Sequence, residues 1–211
     1  MCLEWWAFEI LGLLAGLLPE ATTEIGANAI MFNTTAVTYM FYLGVAIAST
    51  VRVGNGLGSG NQKAVRRSAF ASLVINTVIG ISLGAIVYFC RDSLPRVFTT
   101  DDSIRDRTSD TLWILALYQV LDATNGACRG ILQGAGEQSV AAIICFVAYY
   151  LIGIPLGLIL TFTFKSSALH HKLSGLWVGV SLGLFVSLAL SLLHMSRLDL
   201  NSLVERAKKR A

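Results

Sequence analysis

The chain has 211 residues, of which 55% are hydrophobic and 14% charged, with a formal net charge of +3 and a mean hydropathy of +0.65. A soluble domain carries about 25% charged residues, and a single core of this length cannot hide so much apolar surface. The composition excludes a soluble enzyme, a nucleic-acid-binding domain or a disulfide scaffold as a reading of the whole chain.

Six stretches are nearly or wholly free of charge: 3–18, 27–51, 68–90, 111–133, 139–164 and 173–196. A helix crosses a bilayer with roughly 20 apolar residues, so the pattern predicts an all-α membrane protein. Residues 1–196 form a bundle of six transmembrane helices, and 197–211 form a basic cytoplasmic tail. The first stretch is short for a span and carries Glu4 and Glu9. A secretory signal peptide would instead open with a basic region and close on a small-residue cleavage site. The chain reads as one that begins inside a helix.

Connectors between successive spans alternate between the two sides of the membrane. One set comprises 52–67, the turn after 133 and the tail; with Arg129 counted as snorkelling from its span end, it holds most of the lysines and arginines. Basic loops face the cytoplasm, which places both termini there. Cys2, Cys90, Cys128 and Cys145 are scattered without CxxC spacing and read as packing residues. His170 and His171 sit in an outer loop and His194 at a span end, and none has zinc-ligand spacing. No metal or cofactor is expected.

A charged group at mid-membrane costs about 2.5–3.5 kcal/mol on insertion scales and usually faces a cavity or a partner. Glu9 precedes Pro19 by ten residues, which puts it roughly 15 Å below the outer surface at the helical rise. Asp122 lies eleven residues after Thr111, at about the same depth. The two carboxylates are therefore expected to share one cavity, where burial and mutual repulsion suit them to exchanging protons or cations. Glu4 lies deeper, beside Trp5 and Trp6; an interfacial anchor and a functional group both remain open readings for it. Gln119, Asp122, Asn125 and Arg129 recur at helical spacing and form one polar stripe, expected to line the cavity. Asn33 and Asn76 read as interhelical hydrogen-bonding groups. Tyr39, Tyr42, Tyr118, Tyr149 and Tyr150 can offer ring faces to an organic cation.

The glycine-rich segment from Arg52 to Gln62 resembles a phosphate loop, but a dinucleotide fingerprint needs a preceding strand, and here a membrane span precedes it. Its Gly-x-Gly-x-Gln pattern at Gly58–Gln62 returns at Gly134–Gln138, which hints at a duplicated helical hairpin. Pro155 removes a helical hydrogen bond and should kink the fifth span. An intramembrane hydrolase fits poorly, because no nucleophile and base lie at helical spacing.

Four motifs together resemble the carboxyl-terminal lobe of eukaryotic multidrug and toxic compound extrusion (MATE) transporters. They are Cys2-Leu3-Glu4-Trp5-Trp6-Ala7-Phe8-Glu9, Arg52-Val53-Gly54-Asn55-Gly56-Leu57-Gly58, Gly134-Ala135-Gly136-Glu137-Gln138 followed by Tyr149-Tyr150 through Pro155, and Gly175-Leu176-Trp177-Val178-Gly179. The resemblance implies spans seven to twelve of a twelve-helix transporter. It implies a secondary antiporter that exports organic cations, drugs or metabolites in exchange for protons or sodium, in a plasma or vacuolar membrane. The expected partners are a small-molecule substrate, the lipid bilayer, and a missing amino-terminal lobe or a second copy, with no nucleic acid. Carried over by motif, Glu4, Glu9 and Asp122 are the cation- and proton-binding residues; Asn33, Gln119, Asn125, Tyr39 and Tyr149 complete the expected cavity. Asn33 stands where some animal members have a glutamate, Cys145 where asparagine is common, Gln133 where arginine is common, and Arg129 where a small residue is common. Arg129 sets a permanent positive charge two turns from Asp122. The alternative reading is a truncated membrane fragment that moves nothing.

Overall fold

A computed structural model describes residues 2–163 and 172–210; the His170–His171 pair lies outside the described residues. Helices account for nearly all of these residues, and no strand occurs among them. The elements are α1 (Cys2–Ala15), α2 (Ala21–Gly58), α3 (Gln62–Phe89), a single turn α4 (Pro95–Phe98), α5 (Asp102–Gly134), the composite rod α6 (Gln138–Thr163), α7 (Leu173–Arg197) and α8 (Leu200–Arg210). Of these, α2, α3, α6 and α7 are long and apolar enough to cross a membrane. Helix α1 has only 14 residues, and α5 carries a charged first turn and a polar interior stripe. The large apolar residues Leu13, Phe70 and Ile143 point outward, as hydrocarbon rather than water would favour.

Helix α5 is the axis of the bundle and packs along α2, α3 and α7. Its centrality follows from its composition, since small residues let neighbouring backbones approach. A Cβ added at Gly130 would fall 2.4 Å from the Ala46 carbonyl oxygen of α2. The α6–α7 seam is equally close, with a Cβ at Gly179 reaching 2.2 Å from the Gly157 nitrogen. The threonines of α2 fold their hydroxyls back onto the preceding turn, Thr34 onto Ile30 O at 2.8 Å and Thr35 onto Met31 O at 3.0 Å, so they bring no unmet donors into the interior.

The two Gly-x-Gly-x-Gln segments prove to be the same helix terminator. Helix α2 continues through Gly58, past the apolar stretch, and the glycine-rich segment is mostly helical rather than a long loop. At its end Gly60 N donates to Leu57 O at 3.1 Å and Asn61 N to Gly56 O at 2.9 Å. At the end of α5, Gly136 N donates to Gln133 O at 3.0 Å and Glu137 N to Leu132 O at 2.9 Å. Both are Schellman caps, and each needs its glycine in the left-handed region, with φ of 70° at Gly60 and 76° at Gly136. Asn61 then caps α3 by accepting from Ala64 N at 3.0 Å.

Around Pro155, where a kink is expected, the rod departs from regular α-helix. The proline sits in the first turn of a five-residue α segment, Ile154–Leu158, with π-helical turns at Val147–Gly153 and Ile159–Thr163 on either side. The wider turns absorb the missing donor over several residues, as π-bulges do within long helices.

The connectors gather at the two ends of the bundle. Amphipathic α8 lays Leu203 against Val53, Leu57, Val65 and Ile131 at one end of the bundle. There Arg206 meets Glu137 at 3.2 Å, His194 meets Glu137 at 3.8 Å, and Gln62 donates to Asn201 at 2.6 Å. At the opposite end Arg107 pairs with Glu24 at 3.1 Å and Glu20 at 3.3 Å. The tail thus docks as a helix on this end through Leu203, with Arg206 largely exposed.

Candidate functional site: a buried carboxylate–guanidinium cluster

Three charged side chains converge inside the bundle. Glu4 enters from α1, and Asp122 and Arg129 from α5, two turns apart on one face. The side chains are 7%, 3% and 17% exposed respectively. Arg129 Nη1 donates to Glu4 Oε2, and Nη2 lies 3.5 Å from Asp122 Oδ1. Each carboxylate has a second donor. Tyr149 OH, from the first π-helical turn of α6, donates to Glu4 Oε1 at 2.9 Å, and Tyr42 OH of α2 donates to Asp122 Oδ2. The guanidinium carbon lies 6.0 Å from the centre of the Tyr39 ring, and Tyr39 meets Tyr42 edge-on at 5.4 Å. Four elements therefore supply the cluster, and every charge in it is both paired and hydrogen-bonded, which burial requires.

An aromatic wall holds α1 in place beside the cluster. Phe8 packs against Phe32, Tyr118 and Trp177, with ring centres 5.5, 6.2 and 5.9 Å away. Trp177 is fully buried and donates to Asn28 Oδ1 at 3.1 Å, which fixes the ring. A cleft of about 20 Å³ runs between Glu4, Asp122, Tyr39, Thr35 and Phe8, room for about one water or a small ion.

The structure brings together Glu4, Asp122, Tyr39 and Tyr149 from the expected set, but not Glu9. Glu9 is exposed on the outer face of α1 with Trp6 and Leu13. Depth fixes a residue's height and not its direction. Glu4 and Glu9 are five residues apart, so at 3.6 residues per turn they point to nearly opposite sides. Asn33 is exposed as well and donates to Ala29 O of its own helix at 2.8 Å. Asn125 is buried and accepts from Ser187 of α7 at 3.3 Å, which makes it an interhelical tie. Gln119 is fully buried, and its amide atoms have no hydrogen-bond partner among the described residues.

Arg129 departs from the snorkelling side chain that its position suggested. Two carboxylates lie within reach inside the bundle, and a guanidinium can bridge both with its fork of donors. Its spacing of seven from Asp122 was the available signal. The donor role of Tyr42 left no mark in the sequence, because any tyrosine on α2 could equally have been a packing residue. Among the described residues no group of histidine, cysteine and carboxylate side chains could hold a metal ion.

Apolar helices arranged around a central polar helix, with buried charges paired inside the bundle, define an integral membrane protein of the helical-bundle class. The chain belongs to the MatE family, whose profile matches residues 1–159. It is 35% identical over 211 residues to the zebrafish (Danio rerio) protein "Multidrug and toxin extrusion protein 1", covering 100% of this chain and 35% of that protein. It is 34% identical over 183 residues to "Protein DETOXIFICATION 14" of Arabidopsis thaliana, covering 87% of this chain and 37% of that one. The crystal structure of the eukaryotic MATE transporter AtDTX14 superposes with a TM-score of 0.93 at 32% identity, over 100% of this chain and 46% of that chain. The chain thus spans less than half the length of these relatives, and its bundle is a fragment of their full fold.

Proposed function

We propose that these residues form the carboxyl-terminal lobe of a secondary antiporter that exports organic cations, drugs or metabolites in exchange for protons or sodium. The observation that carries this reading is the Glu4–Arg129–Asp122 cluster. Two carboxylates held inside a membrane bundle beside an ion-sized cleft can trade a proton or a small cation for a change in packing between α1, α2, α5 and α6. The names of the relatives support extrusion as the direction of transport, and a transporter accounts for the cluster better than an enzyme does. The six rods are the six spans, and the end bearing α8 faces the cytoplasm, since it carries the greater share of basic residues. The plasma and vacuolar membranes are the two proposed locations.

The test is efflux from cells or vesicles by this lobe joined to the amino-terminal half of a relative. Glu4→Gln and Asp122→Asn should each abolish efflux driven by a proton or sodium gradient while leaving the protein in the membrane. Full gradient-driven efflux by both variants would assign the carboxylates to structure alone.

A further inference from the structure

The cluster's charge is odd for a cation site: two carboxylates face one guanidinium that cannot be deprotonated at any physiological pH. We propose that Arg129 is a tethered counter-cation. It occupies the position between Glu4 and Asp122 that a cation would take, so the pocket has charge capacity for one proton or monovalent ion instead of two. This inference rests on the reading of the cluster as the coupling site and adds its stoichiometry.

The geometry argues for this in three ways. First, Arg129 spends donors from separate guanidinium nitrogens on both carboxylates, so an incoming cation must displace one arm or bind beside it. Second, the lone pairs left over are already partly used, by Tyr149 on Glu4 and Tyr42 on Asp122, and the adjoining cleft of about 20 Å³ has room for about one small guest. Third, the displaced arm has somewhere to go. The Tyr39 ring face lies 6.0 Å from the guanidinium carbon, within cation–π range, and Tyr39 lines both the cleft beside Glu4 and a second one, of about 50 Å³, that includes Arg129 and Gln133. Neutralising one carboxylate would free one arm of the bridge, and the arginine could swing over Tyr39 without leaving the interior. The titratable groups around it are Glu4 of α1, Tyr39 and Tyr42 of α2, Tyr118 and Asp122 of α5, and Cys145 and Tyr149 of α6. Among the described residues no second cationic side chain pairs with Glu4 or Asp122, so the balance of one turns on Arg129.

The experiment uses the purified 211-residue chain in lipid nanodiscs. Bound sodium is measured by isothermal titration against a choline background, and bound protons by the carboxylic-acid carbonyl band in infrared spectra across a pH titration. Arg129→Ala should either bind sodium at least about tenfold more tightly than the parent chain, equivalent to about 1.4 kcal/mol, or show one additional protonated carboxyl at neutral pH. Because Arg129→Ala leaves two buried carboxylates unpaired and could unfold, a second comparison sets Glu4→Gln against Glu4→Gln with Arg129→Ala. The double variant keeps one lone carboxylate and should show the same gain over its single parent. Folded variants that gain neither a proton nor sodium in either comparison overturn the proposal. If Asp122→Asn still changes the binding in those experiments, the coupling-site reading stands without it. If no binding depends on Glu4 or Asp122, both readings fall together.

Discussion

The two glutamates of α1 offer the sharpest separation between the arrangement found here and the one that depth alone suggested. Glu4→Gln removes the charge facing Arg129 Nη1 and keeps a carbonyl able to accept from Tyr149. What remains for the guanidinium is Asp122 at 3.5 Å and the Tyr39 ring at 6.0 Å. Breaking a buried ion pair by removing one partner costs about 3–5 kcal/mol, and the retained hydrogen bond places this case near about 3 kcal/mol. Glu9 has an exposed side chain on the outer face of α1, so Glu9→Gln should shift stability by no more than about 0.5 kcal/mol in this chain. Thermal or denaturant unfolding of the purified chain in detergent reads both values, with tryptophan fluorescence as the probe because Trp5 and Trp177 lie on the walls around the cluster. Equal losses for the two variants would refute the geometry, since they would mean that Glu9 and not only Glu4 is held inside.

A methyl group at Gly179 would fall 2.2 Å from the Gly157 nitrogen, so Gly179→Ala should separate α6 from α7 and lower the melting temperature sharply, whereas Gly44→Ala, which meets nothing within 4 Å, should be close to neutral. Gly60→Ala places an L-residue at φ 70° and should cost about 1–2 kcal/mol, measurable by the same unfolding assay. For topology, a cysteine introduced at Ser202 should react with a membrane-impermeant reagent only from the cytoplasmic side and one at Asp92 only from the other side; reaction from the reversed sides would invert the proposed orientation. The 211 residues alone should not transport, because alternating access needs one repeat to rock against another: saturable, gradient-driven uptake of a fluorescent organic cation by proteoliposomes of this chain, lost on Glu4→Gln, would show that copies of it suffice.

The bundle was legible in the sequence because hydrophobicity is a one-dimensional signal. Charge-poor stretches separated by basic and acidic connectors fix how many rods there are and which ends lie together, and the docking of α8 beside Glu137 follows that grouping. Helix ends were less legible. Helix α2 runs seven residues beyond its apolar stretch to Gly58, because the Schellman cap at Gly60 terminates the helix and the fading of hydropathy does not. The repeated Gly-x-Gly-x-Gln pattern carried that information once its physical meaning was known: the second glycine of each copy, Gly60 and Gly136, is the left-handed residue. Pro155 carried its signal differently: the missing donor marks where the rod leaves regular α-helix, but not that π-helical turns flank it on both sides.

The site was half legible, and the missing half is angular. Sequence gives the height of a charge in a membrane from residue counts, but the direction in which it points depends on how each helix is rotated about its own axis. That rotation is set by packing contacts far apart in the chain, here Phe8 of α1 against Phe32, Tyr118 and Trp177. The aromatic wall turns Phe8 and Glu4 inward and leaves Glu9 outside. Once Glu4 is fixed, the cost of burying an unpaired carboxylate selects its partner, and Arg129 is the cation whose spacing of seven from Asp122 lets one guanidinium reach both acids. A rule that every buried charge must be balanced would therefore have found the triad from three residues alone, Glu4, Asp122 and Arg129.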